Sequence, residues 1–265
     1  MNTIAVSVGD NCVDNYLPPT NRRFIGGNAL NVAVHMQKSG LPAAYIGMVG
    51  MDKYGKLTLD ALREQGVDTS HVQVHPGETS RTDVRVTAEG DRQFVYEYVG
   101  PLPSLVLDGK TIDFILAHKL VHNTWMGATD KYLPDFHKGP PLVSLDFGER
   151  YTPDFVDRTI QFVDLAFFSL PEERTTEAPD LAVQMARRGP KLVVVTLGSQ
   201  GSLAYDGNTH TQPALPVEVV DTLGAGDTFI GVFLAYWMKS CPIHTCLQEA
   251  TRAATHTCTH MGGWQ

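Results

Sequence analysis

The run Lys191-Leu-Val-Val-Val-Thr-Leu197 constrains the fold more than any other stretch of the chain. Its apolar, β-branched residues follow one another without the polar alternation of a half-exposed strand, which suits a strand covered on both faces. Strands of that kind belong to parallel sheets with helices above and below. The run ends in Gly198-Ser-Gln-Gly201, a glycine-punctuated turn that lets a nucleotide approach the backbone. Shorter strand-like runs at 4–8, 43–49, 120–122, 142–147 and 164–169 alternate with helix-like stretches at 54–65, 129–137, 153–162, 176–188, 225–239 and 243–261. An α/β chain with a mostly parallel central sheet is therefore expected. With 265 residues and 43% hydrophobic content, one large core over 1–265 with a small appendage suffices.

Charge narrows the function classes. A net charge of −8 provides no basic field for nucleic acid or an anionic membrane, so an anionic ligand must be held by local dipoles, a few Arg or Lys and a metal ion. No segment reaches the roughly 20 apolar residues of a membrane span, and the N-terminus lacks the basic region of a signal peptide. Four cysteines, Cys12, Cys241, Cys246 and Cys258, do not make a disulfide framework in a chain of this length. A cytoplasmic, unprocessed protein is expected.

Asp221-Thr-Leu-Gly-Ala-Gly-Asp227 carries the chemistry. Gly224, Ala225 and Gly226 place minimal side chains before the apolar helical run 228–235, so an anion can reach the backbone N–H groups and the positive end of the helix dipole. Asp227 puts a carboxylate beside the same spot, and a base next to an anion site suggests group transfer. Alone, the stretch also reads as a tight turn with an N-capping Asp.

Two other polar stretches accompany it. Asp10-Asn-Cys-Val-Asp14 follows the first strand, where polar side chains tend to face the ligand crevice, making Asn11 and Asp14 candidates for hydroxyl recognition or for Asx turns. Gly26-Gly27-Asn28 opens a helix in which Asn28 can cap and Asn31, three residues on, shares its face. Residues 79–87 and 93–99 are β-prone and flank a hairpin signal at Ala88-Glu-Gly-Asp-Arg92. An inserted hairpin, formed mainly by 79–99 with a contribution from 12–24, can serve as a lid or a dimer contact. Its charges can equally form a solvated face.

Taken together, Gly26-Gly-Asn-Ala-Leu-Asn31, Thr196-Leu-Gly-Ser-Gln-Gly201 and Asp221–Asp227 resemble the ribokinase-like (PfkB) carbohydrate kinase family, in order and along the whole length. The resemblance implies a mostly parallel sheet flanked by helices on both faces, a small β lid, ATP as donor, Mg2+ and, in some members, a monovalent cation. It implies that Asp227 is the base and that the backbone of Gly224, Ala225, Gly226 and Asp227 is the anion hole. Asp14, Gly26, Gly27 and Asn31 match sugar-contacting positions, and Thr196, Gly198 and Gly201, with Thr222, match the nucleotide site. The family's Asn-x-x-Glu metal element is here Ser169-Leu-Pro-Glu172, which leaves Glu172 as an indirect metal partner.

Further likeness in Gly9–Asp14, Gly66–Val72 and Met261-Gly-Gly-Trp264 points to members acting on fructosamines, sugars conjugated through an amine to an amino acid. The acceptor is then the primary C6 hydroxyl of such a conjugate, with a fructokinase as the rival inside the family. A lid arginine, Arg81, Arg85 or Arg92, is expected to pair with the conjugate's carboxylate. A homodimer through the lid follows from family likeness alone. Outside the family, a non-catalytic sugar sensor is disfavoured by the intact Asp227. A dinucleotide oxidoreductase is disfavoured because Gly9-Asp-Asn-Cys replaces the Gly-x-Gly-x-x-Gly turn. The C-terminal His244, Cys246, His256, Cys258 and His260 fit no common zinc spacing.

Overall fold

The computed structural model describes residues 3–86 and 92–264, with the side chains of Val86, Arg92, Gln93 and Phe94 outside that description. The expected turn at 88–92 lies largely outside it as well. In chain order the elements are β1 (Ala5–Val8), β2 (Cys12–Tyr16), β3 (Arg22–Gly26), α1 (Asn28–Lys38), β4 (Ala43–Ile46), β5 (Met48–Gly50), α2 (Lys53–Glu64), β6 (Gln73–His75), β7 (Arg81–Val86) and β8 (Arg92–Tyr98). They continue with α3 (Gly109–Leu116), β9 (Leu120–Thr124), α4 (Leu133–Lys138), β10 (Leu142–Asp146), α5 (Pro153–Thr159), β11 (Leu165–Ser169) and α6 (Ala178–Ala186). Last come β12 (Leu192–Thr196), β13 (Ser202–Tyr205), β14 (Thr209–Gln212), α7 (Ala225–Met238) and α8 (Ile243–Thr257).

Eight strands form the main sheet in the order β14-β13-β12-β11-β10-β9-β1-β4. The pairings from β12 through β4 are parallel, and β13 and β14 close one edge antiparallel. The period of two divides the strands' apolar residues between two cores. Val6, Val121, Val143, Phe168, Val193 and Val195 pack with residues of α3 to α6, while Ala5, Leu120, Phe167, Leu192 and Val194 pack with α1, α7 and α8. β1 lies between β4 and β9, so the strand order reverses there. Crevices at the carboxyl ends of strands beside such a reversal are where open α/β sheets bind ligands.

Several boundaries differ from expectation for identifiable reasons. The run 43–49 is two strands, because β5 leaves the main sheet to pair with β6. At the break, a Cβ on Gly47 would stand 2.1 Å from the Tyr45 hydroxyl. The helix expected over 176–188 begins as a 3-10 turn at Glu172–Glu177, and α8 stops at Thr257 rather than 261. The antiparallel edge β13–β14 was not anticipated at all.

A second sheet, β3-β2-β7-β8, joins the stretch after β1 to the hairpin at 81–98, with β2 and β7 parallel. Both segments expected to build the appendage are in it.

Candidate active site

Packing between α1 and α7 places the central pair of side chains. Gly231 in α7 lets the two backbones close up: a Cβ there would fall 2.6 Å from the His35 Cβ and 2.9 Å from the Val32 carbonyl oxygen. At that spacing Asn31 on α1 reaches Asp227 in the first turn of α7, donating from Nδ2 to Oδ2 at 2.8 Å. The amide is oriented from its other end by Trp264, whose indole N–H donates to Asn31 Oδ1 at 2.9 Å. Burial raises the Asp227 carboxyl well above its ordinary value; the Asn31 hydrogen bond opposes that, and the charges of Asp146, Asp10 and Asp14 add to it.

Gly224 precedes α7 in the left-handed region at φ 77°, and no side chain caps the helix. A Cβ on Gly224 would meet Gly263 Cα at 2.6 Å, so the C-terminal segment that carries Trp264 also lies against this turn. Ala225 N–H is engaged by the Thr222 carbonyl at 3.2 Å. The next N–H groups of an uncapped helix have no acceptor within the helix itself. Gly226 lies beside open space, since a Cβ there would meet no protein atom within 4 Å.

The first turn of α1 is built differently from expectation. Asn28 is not its cap. Asp10, from the end of β1, accepts from the Asn28 and Ala29 N–H groups at 2.6 and 3.3 Å and from the Thr124 hydroxyl at 2.6 Å. One carboxylate thus ties together the ends of β1, β9 and α1. Gly27, at φ 108°, is the residue before the helix, and a Cβ on it would strike the Asn11 backbone at 2.4 Å.

Two cavities meet at Asp227. One, of 370 Å³, runs along the carboxyl ends of β10, β11 and β12 past Trp125, Asp146, Arg150, Ser169 and Thr196 to Gly226. The other, of 210 Å³, lies beneath the second sheet and is lined by Asp14, Gly27, Asn31, Ser80 and Thr82 among others. Asn28, Glu97, Met126, Gly224 and Asp227 belong to both walls. Gly26 lies in neither lining; a Cβ there would sit 2.6 Å from Asp14 Oδ2, whose residue lines the smaller cavity.

Other expected residues are placed less centrally. Thr196 shares a 2.8 Å hydroxyl–hydroxyl bond with Ser169 on the larger cavity's wall. Gly198 and Thr222 are exposed, Gly201 is buried against β14, and none of the three lines either cavity. Glu172 is exposed in the 3-10 turn after β11 and also lies outside both linings. Arg81 and Arg85 line neither cavity. Arg81 Nε stands 3.1 Å from an Asp83 carboxylate oxygen, with its guanidinium over the Tyr96 ring. Thr82, on the opposite face by the strand's period, is the residue that lines the smaller cavity. The Arg92 side chain lies outside the described residues.

Residues that sequence reasoning passed over include Asp146, Arg150, Glu97 and Trp264. Asp146 is the last residue of β10 and Arg150 lies just beyond it, a position like the one that singled out Asp14 after β1. Burial lifts Asp146 from 3.8 to about 7, opposed by the Gly148 N–H at 2.8 Å and assisted by the charge of Asp10.

The sequence and the fold match known proteins along nearly the whole chain. The family model for pfkB family carbohydrate kinases matches residues 3–101 and 136–264, and the chain belongs to that family. It is a carbohydrate kinase. It is 35% identical over 265 residues to fructoselysine 6-kinase of Escherichia coli (strain K12), covering all of both chains. It is 34% identical over 263 residues to fructosamine kinase FrlD of Bacillus subtilis (strain 168), covering 98% of this chain and 92% of that protein. Among solved structures, Arabidopsis thaliana ribokinase, complexed with ribose and ATP, superposes with a TM-score of 0.86 at 22% identity, over 99% of this chain and 94% of that one.

Proposed function

We propose that this kinase transfers the terminal phosphoryl group of ATP to the primary C6 hydroxyl of a fructosamine such as fructoselysine. The observation that carries the mechanism is Asp227 on the wall common to both cavities. The substrate class is supported by the similarity to two fructosamine-acting kinases. The larger cavity takes the donor and the smaller one the sugar. The uncapped start of α7 and the side-chain-free face of Gly226 suit phosphate oxygens.

In this reading the sugar's hydroxyl lies against Asp227, whose carboxylate accepts the proton as the phosphoryl group transfers; the raised affinity of Asp227 for a proton favours that step. Asn31 fixes which carboxylate oxygen faces the sugar. The N–H groups of Gly226 and Asp227, with Ala225 N–H held by the Thr222 carbonyl, stabilise charge on the transferring group without reorganising, and alignment with charge stabilisation is most of what phosphoryl transfer requires. Asp14 accepts from sugar hydroxyls, held in place by the absent side chain of Gly26.

The chemistry Mg2+ would supply here is neutralisation of phosphate charge. Among the described residues no group of three His, Cys, Asp or Glu is placed to hold a metal ion. Mg2+ commonly keeps several waters and takes one or two carboxylates, so Asp146 and Glu149 on the donor wall suit that mode, with Glu172 reaching it only through water. We place the enzyme in the cytoplasm, where its four free cysteines would remain reduced, and assign the second sheet as the lid and as the contact of a homodimer.

Coupled ADP release with ATP and Mg2+ tests the reading across fructoselysine, fructose-asparagine, psicoselysine, fructose and ribose, with and without K+ for the monovalent cation. Preference for one conjugate is expected. Preference for a free sugar keeps the mechanism and overturns the substrate.

A further inference from the structure

The smaller cavity contains four carboxylates, from Asp10, Asp14, Glu97 and Asp227, while no Lys, Arg or His among the described residues lines it. Three of the four have work assigned to them. Asp10 caps α1, Asp227 takes the hydroxyl proton, and Asp14 faces the sugar. Glu97 remains. It stands on β8 opposite Thr82, is exposed, and forms no ion pair with any described residue. A second acceptor lies beside the same wall. Asn11, which lines the same cavity and is 2% exposed, has its Nδ2 on the Tyr45 hydroxyl and the Met48 carbonyl, leaving buried Oδ1 without a protein donor.

We propose that Glu97 is the specificity-determining residue of this kinase and that it recognises a cationic amine on the sugar, the secondary ammonium at C1 of a fructosamine. This rests on the fructosamine reading and deepens it. Carboxylates gathered in a partly desolvated pocket repel one another and the incoming polyphosphate, and an acceptor that brings positive charge relieves that cost. A ketose cannot supply that charge. A ketose joined through an amine can, and its ammonium gives Glu97 a charge-assisted hydrogen bond. The amino acid's carboxylate has no cationic partner on the described cavity wall. On the described wall, charge recognition is therefore directed at the amine.

The test compares wild type with Glu97→Gln, a substitution of an exposed side chain, on fructoselysine and on fructose. Calorimetry with 1-amino-1-deoxyfructose against fructose adds a readout that needs no turnover. We expect KM for fructoselysine to rise about tenfold or more with kcat little changed, KM for fructose to stay within about twofold, and the preference for the amino sugar in binding to vanish. Restoration of that preference by Glu97→Asp is expected in part. Equal effects on both sugars, or a fall in kcat on both with an altered Mg2+ requirement, would overturn the proposal. Should wild type phosphorylate no fructosamine, the functional reading fails by itself. The amino-sugar binding comparison then decides the role of Glu97 separately: no preference in wild type, or one that Glu97→Gln leaves intact, overturns it.

Discussion

The two cavities share a wall and differ in everything else. The donor side is built on the ends of β10 to β12 and the start of α7, elements anchored in the two large cores, and Arg150 lies in its lining. The acceptor side is roofed by the second sheet and carries carboxylates without a described cation. In the proposed reading, the rigid backbone that meets the phosphoryl donor is held by the main sheet, while the groups that discriminate acceptors reside on an appended one. Chemistry that requires fixed geometry and selectivity that requires variation are placed on separate supports.

The largest effect should come from the wall they share. Asp227→Ala is expected to lower kcat by about 10²–10⁴ with either sugar, the range for a positioned general base, as measured by coupled ADP release. Near-normal turnover would break the assignment of the shared wall to catalysis.

A pair of glycine substitutions sharpens the division. Gly226→Ala adds a Cβ that meets no protein atom within 4 Å and lies on the donor wall alone, so the protein should fold normally while KM for ATP rises about tenfold, about 1.4 kcal/mol. Gly26→Ala puts a Cβ 2.6 Å from Asp14 Oδ2 and should raise KM for the sugar by a similar, roughly tenfold, factor with ATP unaffected. If each variant moved the other substrate's KM, the two-cavity division would be wrong.

A smaller effect is expected from the groups behind Asp227. Asn31→Leu removes the hydrogen bond that lowers the Asp227 pKa, so the acidic limb of the kcat profile should move to higher pH, with activity recovering on the alkaline side. Trp264→Phe leaves the Asn31 amide free to turn and should shift the same limb in the same direction, by less. An unmoved limb in both variants would show that the chain of contacts only supports the fold.

Asp146 supplies the mildest test, on stability. Its carboxyl, raised from 3.8 to about 7, binds a proton more tightly folded than unfolded. Its contribution is therefore full below about pH 4 and is lost as pH rises through about 7. Asp146→Asn should flatten that part of the Tm–pH curve, while the same-signed slope from Asp227 persists.

Much of the scaffold and one side of the site could be read directly from the chain. The buried strand at 192–196, the helix beginning at Ala225 and the Gly224–Asp227 turn are local features, set by β-branched runs, apolar periodicity and glycine's conformational freedom. Gly26 and Asn31 are legible for the same reason, as a small and a polar residue at the end of β3 and in the first turn of α1, whereas Asp14 lies mid-strand in β2 and not in a turn. Glu172, Thr222, Gly198 and Gly201 follow from family pattern, and none of them lines either cavity. Arg81 was chosen by its charge, but its neighbour two residues on, Asp83, shares its face and engages it.

The chain order by itself determined most of the parallel strands and their flanking helices, and that the sheet is covered on both faces, because those depend on residues within a few positions of one another; it did not show β2, β3, α3, β13 or β14. Only tertiary structure decided that Asp10 caps a helix 18 residues away, that Asn31 meets Asp227 across 196 residues, and that Trp264 orients Asn31 across 233. It also decided that Glu97 overlooks both cavities. Such contacts are set by how whole layers pack, as at Gly231 between α1 and α7, and no local periodicity encodes the distance between two positions that packing brings together.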